Sequence, residues 1–205
     1  MIAIIDYGVG NLFSLKSSLE FLGLEATVTK EKEMINNASH IILPGVGAFG
    51  DAKEKLDKTG LRSFLVEQAK GGKPFLGICL GMQLLFEKSY EYGVHDGLSL
   101  VPGSVVPILD DLPEEKKSLN IPQIGWNALH LEKESPLFKY TDEGDCVYFV
   151  HSYYAKTEKP YLSASAEYGI TVTAAVENGN VFGTQFHPEK SGEAGLRMLK
   201  AFSEI

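Results

Sequence analysis

The sequence predicts an α/β fold: a mixed, mainly parallel central sheet flanked by helices, with an antiparallel strand region in the C-terminal half. Three observations carry this. Short apolar segments alternate with helix-length periodic segments over residues 1–79, the arrangement that gives parallel strands covered on both faces. From about Ser104 to Gln185 the β-branched and aromatic content rises. Within that stretch "EYGI" and "ENGN" join neighbouring strand candidates closely enough for hairpins.

Taken in order, "MIAIID" is a short apolar strand, and a helical pattern follows from Asn11 to about Leu22. Leu12, Leu15, Leu19 and Leu22 form one stripe of it. Asn11 suits the N-cap and Gly23 the stop. "EATVTK" alternates as a strand does, "HIILPG" is a compact buried strand, "LRSFLVEQAKGGK" is a helix closed by glycines, and "PFLGIC" is the next strand. Later strand candidates are "SVVPIL", "GWNALHL", "CVYFVHSYYA", "ITVTAAV" and "NVFGTQF". Residues 110–117, "DDLPEEKK", are expected as an exposed loop, and "SGEAGLRMLKAFSEI" as a closing helix. With no repeat, linker or low-complexity tract, residues 1–205 are expected to form one domain.

Composition narrows the function classes. Hydrophobic residues make up 44% and charged residues 22%, the balance of a globular protein. Twenty-seven acidic against 19 basic residues give a net charge of −8, which disfavours nucleic acid and anionic membrane as partners. No apolar run reaches the length of a membrane span, and the N-terminus lacks the basic segment and cleavage site of a signal peptide. Two cysteines, Cys79 and Cys146, do not suggest a disulfide framework, so a reducing cytoplasm is the expected compartment.

Cys79 stands where a strand runs into a helix, in Gly77-Ile78-Cys79-Leu80-Gly81. This is the form of a nucleophile elbow, with a thiol in place of a hydroxyl. Glycines let the chain pass close to itself, and the helix start favours a thiolate. The N–H of Leu80 is placed to donate to an oxyanion. On the five-residue pattern alone, Cys79 reads equally as a buried hydrophobe. Cys146, in "DCVYFV", has no such setting and is expected in the core. Neither cysteine has a second ligand at metal spacing, so no metal is expected.

A thiol nucleophile needs a base. Of five histidines, His40 opens a strand and His95 sits in a polar segment, so both suit structural or surface roles. His130 is expected partly exposed, and His151, in an aromatic strand, could line a site, though core packing is the safer reading. His187 stands apart in "TQFHPEKS". Glu189 lies two residues on, so both side chains share a face in extended chain, with Pro188 stiffening the relation. The carboxylate can fix one ring nitrogen and leave the other for Cys79. Taken alone, "HPE" would also fit a capped turn before the last helix.

The loop "PGVGAFGD", residues 44–51, offers two readings. Gly45-x-Gly47-x-x-Gly50 satisfies a dinucleotide-binding pattern, but it follows the third strand and no acidic residue ends the next one. At the first strand, "DYGVGNLF" has Gly8 and Gly10 but puts Phe13 where a third glycine belongs. The second reading is a flexible loop beside Cys79 that lends an N–H to the oxyanion.

With "PGVG", "GICLGMQ" and "HPE" in place, the chain resembles the class I, triad-type glutamine amidotransferases over nearly its whole length. It is most similar to the glutaminase subunits of imidazole glycerol phosphate synthase, through "IDYGVGNL", "LPGVGAFGDA", "IGWN", "YFVHSYY" and "FHPEKSG". Other members commonly carry Pro-Gly-Gly where this chain has Val46 in the third place. The resemblance implies a Cys79–His187–Glu189 triad and an oxyanion hole from the N–H groups of Leu80 and Val46. It implies glutamine bound by Gly47, Gln83 and Glu91, with no cofactor. It further implies a heterodimer with a (β/α)₈-barrel cyclase subunit, which ammonia reaches through a tunnel to make imidazole glycerol phosphate and an aminoimidazole carboxamide ribotide. Trp126, Tyr148 and Lys190 fall in stretches that resemble the interface with that partner. As the only tryptophan, Trp126 suits an apolar anchor there, though a core tryptophan would leave the same trace.

Glycines on both sides of Val46 would let its peptide turn, so the oxyanion hole is expected to complete only when the loaded partner binds. The competing assignments are a glutaminase serving pyridoxal phosphate or anthranilate synthesis, and a nucleotide-binding module.

Overall fold

The computed structural model describes residues 1–205. Strands β1 (Ile2–Ile5), β2 (Ala26–Thr29), β3 (His40–Gly45) and β4 (Phe75–Cys79) are all parallel, as the alternation predicts. The chain then makes short strands β5 (Lys88–Ser89) and β6 (His95–Asp96), followed by β7 (Ser104–Pro107), β8 (Gln123–Ala128) and β9 (His130–Leu131). The C-terminal half adds β10 (Cys146–His151), β11 (Tyr153–Lys156), β12 (Leu162–Glu167), β13 (Thr171–Asn178) and β14 (Val181–Thr184). An eight-stranded sheet runs β2-β1-β3-β4-β14-β13-β12-β9, with β8 and β10 paired separately and β11-β7-β5-β6 forming a third sheet.

The central fact is that β14 pairs parallel with β4, Thr184 opposite Ile78. The hairpins at "EYGI" and "ENGN" then carry the sheet outward as antiparallel β13 and β12. Pleating divides β1 between two cores. Ile2 and Ile4 pack with Leu15, Leu19, Met198 and Phe202 of helices Leu12–Phe21 and Gly192–Ser203. Ala3 and Ile5 pack with Ala52, Leu56 and Leu65 of helices Phe49–Thr59 and Arg62–Lys70. Helix Leu12–Phe21 begins as predicted, with the Asn11 side chain accepting from the Ser14 N–H at 3.4 Å, and Gly23 takes a left-handed φ of 72° at its end.

Several expectations need correction. "CVYFVHSYYA" is two strands in different sheets, broken at Ser152, and "GWNALHL" is two strands broken at Leu129. Residues 110–117 are not simply loop: a helical turn Ile108–Asp111 and a 3₁₀ turn Glu114–Lys116 hold Leu112 in the core. Asp111 accepts from Tyr154 and Lys156, which ties that charged run to β11. Cys146 is exposed rather than core, because it begins β10 on the strand's outward face. Trp126 is 56% exposed, so it is no core tryptophan. No helix is long and apolar enough to cross a membrane.

The bend after β4 depends on two glycines. A Cβ on Gly77 would stand 2.6 Å from the Gly81 carbonyl oxygen, and one on Gly81 would fall on the carbonyl oxygen of Leu43. Backbone cannot yield to such contacts as a side-chain tip can. Gly81→Ala is therefore expected to cost at least about 2 kcal/mol of stability, as overpacking typically does. Urea unfolding would measure this, and an unchanged midpoint would show that β3 and the elbow are not in obligatory contact.

Candidate active site

The parallel strands β3, β4 and β14 end at one edge of the sheet, where ligands of open α/β sheets bind. Gly45 lies opposite Cys79, and Gln185 follows directly from the β14–β4 register. Three segments far apart in sequence, 44–47, 79–83 and 185–189, are thereby brought together. They line a cleft of about 250 Å³ that contains Val46, Gly47, Cys79, Leu80, Gln83 and Glu91. His151, Tyr153 and His187 complete its other wall.

Cys79 has φ 55° and ψ −113°, a conformation that L residues with a side chain rarely hold. Such strain costs about 1–3 kcal/mol and persists only where the surroundings impose it. Here the close approach of Gly81 to β3 imposes it. Leu80 opens the following turn, Leu80–Gln83.

His187 and Glu189 are joined through Nδ1 and Oε1 at 2.8 Å, with side chains 2% and 3% exposed. His187 Nε2 has no hydrogen-bond partner, which leaves it for Cys79 in the same cleft. The backbone of His187 is fixed twice: its N–H donates to Tyr148, and its carbonyl accepts from Ser191 Oγ at 2.6 Å. Burial would push the imidazole pKa down, but the Cys79 sulfur and the Glu189 carboxylate outweigh it and hold the pKa at about 10.

Gln83 donates from Nε2 to the Tyr153 carbonyl and to Gln185 Oε1, both at 3.0 Å. Its own Oε1 is therefore the group it has to offer the cleft. Glu91 accepts from the Phe49 N–H at 2.6 Å, and burial raises its pKa against the opposing pull of that N–H and of His95. The three residues expected to bind substrate, Gly47, Gln83 and Glu91, thus line the same cleft as Cys79. His95 takes the structural one of its two expected roles: its ring packs 6.2 Å from Phe49 and lies against Gly50.

Residues beyond the expected triad and substrate groups also shape the site. Gln185 Nε2 approaches Cys79 Sγ at 3.8 Å. Its place two residues before His187 was the available sequence signal, since alternate residues share a face. Ser191 Oγ donates to the His187 carbonyl and accepts from the Tyr148 N–H, tying the His187 segment to β10, which sequence alone does not reveal. His151 bears out both of its readings: it is buried and it lines the cleft, with Nδ1 2.8 Å from the Tyr153 carbonyl. Burial holds its pKa at about 4, the carbonyl opposing this and His187 adding to it, so its ring is neutral.

Trp126 and Tyr148 face each other across the β8–β10 pair with ring centroids 6.0 Å apart, and Lys190 Nζ lies 5.9 Å from the Tyr148 ring. With Ile124, 61% exposed, they form an apolar and aromatic patch on the outward face of that pair.

The raised His187 pKa has a consequence for stability. A folded pKa above the ordinary 6.5 stabilises fully below 6.5, and that contribution is gone above about 10. The stability difference between wild type and His187→Gln is expected to shrink steadily from pH 6.5 to 10 in urea titrations. A constant difference would mean that the imidazole is neutral in the folded chain.

A family model described as glutamine amidotransferase class-I matches residues 3–204. The imidazole glycerol phosphate synthase subunit HisH of Caldanaerobacter subterraneus subsp. tengcongensis is 50% identical over 206 residues, covering 100% of this chain and 98% of that relative. The HisH subunit of Wolinella succinogenes is 48% identical over 207 residues, with 100% of each covered. A solved structure described as a glutamine amidotransferase has a TM-score of 0.76 at 18% identity, covering 100% of this chain and 98% of that one. The PurLQS structure from Thermotoga maritima has a TM-score of 0.75 at 20% identity, covering 99% and 97%. These two show the shared fold, and the full-length matches at 48–50% identity show more: the chain belongs to the class-I glutamine amidotransferases, among the HisH subunits of imidazole glycerol phosphate synthase.

Proposed function

We propose that this chain hydrolyses the side-chain amide of glutamine at Cys79 and passes the ammonia to the cyclase subunit of imidazole glycerol phosphate synthase, as a heterodimer in the cytoplasm. The observation that carries the reading is a strained cysteine and a carboxylate-bound histidine lining one cleft at the ends of adjacent parallel strands. A reducing compartment suits a free thiol nucleophile.

In this reading the free acceptors of Gln83 and Glu91 bind the substrate ammonium group, and Gly47 walls the pocket. Cys79 Sγ attacks the amide carbon, its proton held by His187 Nε2. The carbonyl π pair moves onto oxygen, and the resulting oxyanion is met by the N–H groups of Leu80 and Val46. Collapse of this intermediate breaks the C–N bond, and His187 gives its proton to nitrogen, releasing ammonia and leaving a glutamyl thioester. His187 then takes a proton from water, which attacks the thioester, and Cys79 leaves with that proton as glutamate forms. Glu189 keeps the imidazole in the tautomer and orientation that both half-reactions need.

Ammonia must reach the cyclase unprotonated, since ammonium has no lone pair with which to attack. The neutral His151 beside the cleft is consistent with that need. We assign the Trp126–Tyr148–Lys190 patch to the partner interface because Trp126 and Ile124 stand exposed there beside the half-buried Tyr148 ring.

Cys79→Ala is expected to bring glutamate release to background. His187→Ala should lower kcat by about 10²–10⁴-fold, the usual worth of a general acid–base group. Glu91→Gln should instead raise KM for glutamine. These rates are to be measured with the chain alone and with the cyclase plus its nucleotide substrate. Stimulation by the loaded cyclase supports the assignment; glutamate release indifferent to it would point to another acceptor enzyme. Gly47, at φ 92°, is the place to test the turning loop, and Gly47→Val should abolish stimulation.

A further inference from the structure

The "DYGVGN" segment, which fails as a dinucleotide loop, packs onto the oxyanion loop. Tyr7 is 3% exposed, and its hydroxyl donates to the Pro44 carbonyl at 2.7 Å. Gly10, at φ 114°, comes so close that an added Cβ would stand 3.1 Å from Cβ and Cγ of Pro44. One residue on, a Cβ at Gly45 would meet the Tyr7 hydroxyl at 2.8 Å and the Gly81 nitrogen at 2.7 Å. At Gly47, by contrast, nothing lies within 4 Å. The loop is thus held hard at Pro44–Gly45 and open at Gly47, with Val46 between.

Building on the oxyanion role given to Val46 above, we propose that Tyr7 is a positioning residue of the oxyanion hole: its hydrogen bond to Pro44 fixes the peptide before Gly45, so that only the Gly45–Val46 peptide turns toward Cys79. A peptide that must donate to a charge appearing for an instant gains from a rigid pivot, because the donor then needs no reorganisation when the charge appears. Burial and the neighbouring Cys79 charge both raise the Tyr7 pKa, so the phenol remains a donor across the working pH range.

The test is Tyr7→Phe in the assembled complex with the cyclase. Glutamine hydrolysis should lose about tenfold or more in kcat with KM changed less than twofold, a misplaced donor costing up to what its removal costs. Alkylation of Cys79 by iodoacetamide, which forms no oxyanion, should keep its wild-type rate. Gly10→Ala, which presses on the same proline, should show the same split. An unchanged kcat in Tyr7→Phe overturns the proposal, and so does an alkylation rate that falls in step with kcat, because the hydroxyl would then merely hold the fold. Wild-type glutamate release is the control: if it fails, the glutaminase reading fails and this proposal with it. If wild type turns over and Tyr7→Phe matches it, only the role of Tyr7 is lost.

Discussion

The contact on which the site depends is between backbone and backbone: the turn after β4 lies directly against the carbonyl of Leu43 in β3, with no side chain between them. That approach forces Cys79 into its left-handed conformation and sets Leu80 at the head of a helical turn. It also brings Gly45 level with Cys79, so the thiol and the loop meet without any long side chain having to bridge a gap. The sheet contributes the rest by geometry. A parallel neighbour delivers its C-terminal residues to the same edge, and β14 delivers Gln185 and His187 there.

The electrostatics of the site follow from the same burial. Two carboxylates lie near the cleft and meet opposite treatment. Glu189 is buried against His187 and bonds its ring nitrogen, whereas Glu91 lines the cleft while held by a backbone N–H. The two cleft histidines also differ. His187, between sulfur and carboxylate, is held protonated, and His151, facing a carbonyl and aromatic neighbours, is held neutral. Their charges are set by what each ring touches.

Much of this was legible in the sequence because it follows from local rules. Alternating apolar segments specified the parallel strands, and glycines around Cys79 specified the elbow. The His187–Glu189 pair was expected from a two-residue offset in extended chain; the two side chains do meet, but across the start of a 3₁₀ turn, Pro188–Lys190, entered from His187. What could not be read was non-local. The chain between Val150 and Tyr153 is uniformly strand-like, and nothing in it shows that Ser152 marks a passage between two sheets. Strand β12, "LSASAE", is built of small residues that carry little propensity and is held by its neighbours. Helix Phe49–Thr59 hides behind a glycine-rich start. Cys146 resembles a core residue in composition, and only the phase of β10 turns it outward. The roles of Ser191 and Tyr7 depend on hydrogen bonds to distant backbone, for which a sequence has no local sign.

The placement of β14 has a bearing on synthesis at the ribosome. The strand that leads to His187 pairs with the strand that carries Cys79 across more than a hundred residues of chain, Cys79 and Gln185 being 106 apart. Pairings of that span close late, after the loop entropy between them has been overcome. A nascent chain that has not yet emerged as far as β14 therefore carries its cysteine without its histidine. The growing polypeptide cannot bring Cys79 and His187 into one cleft until β14 has taken its place beside β4.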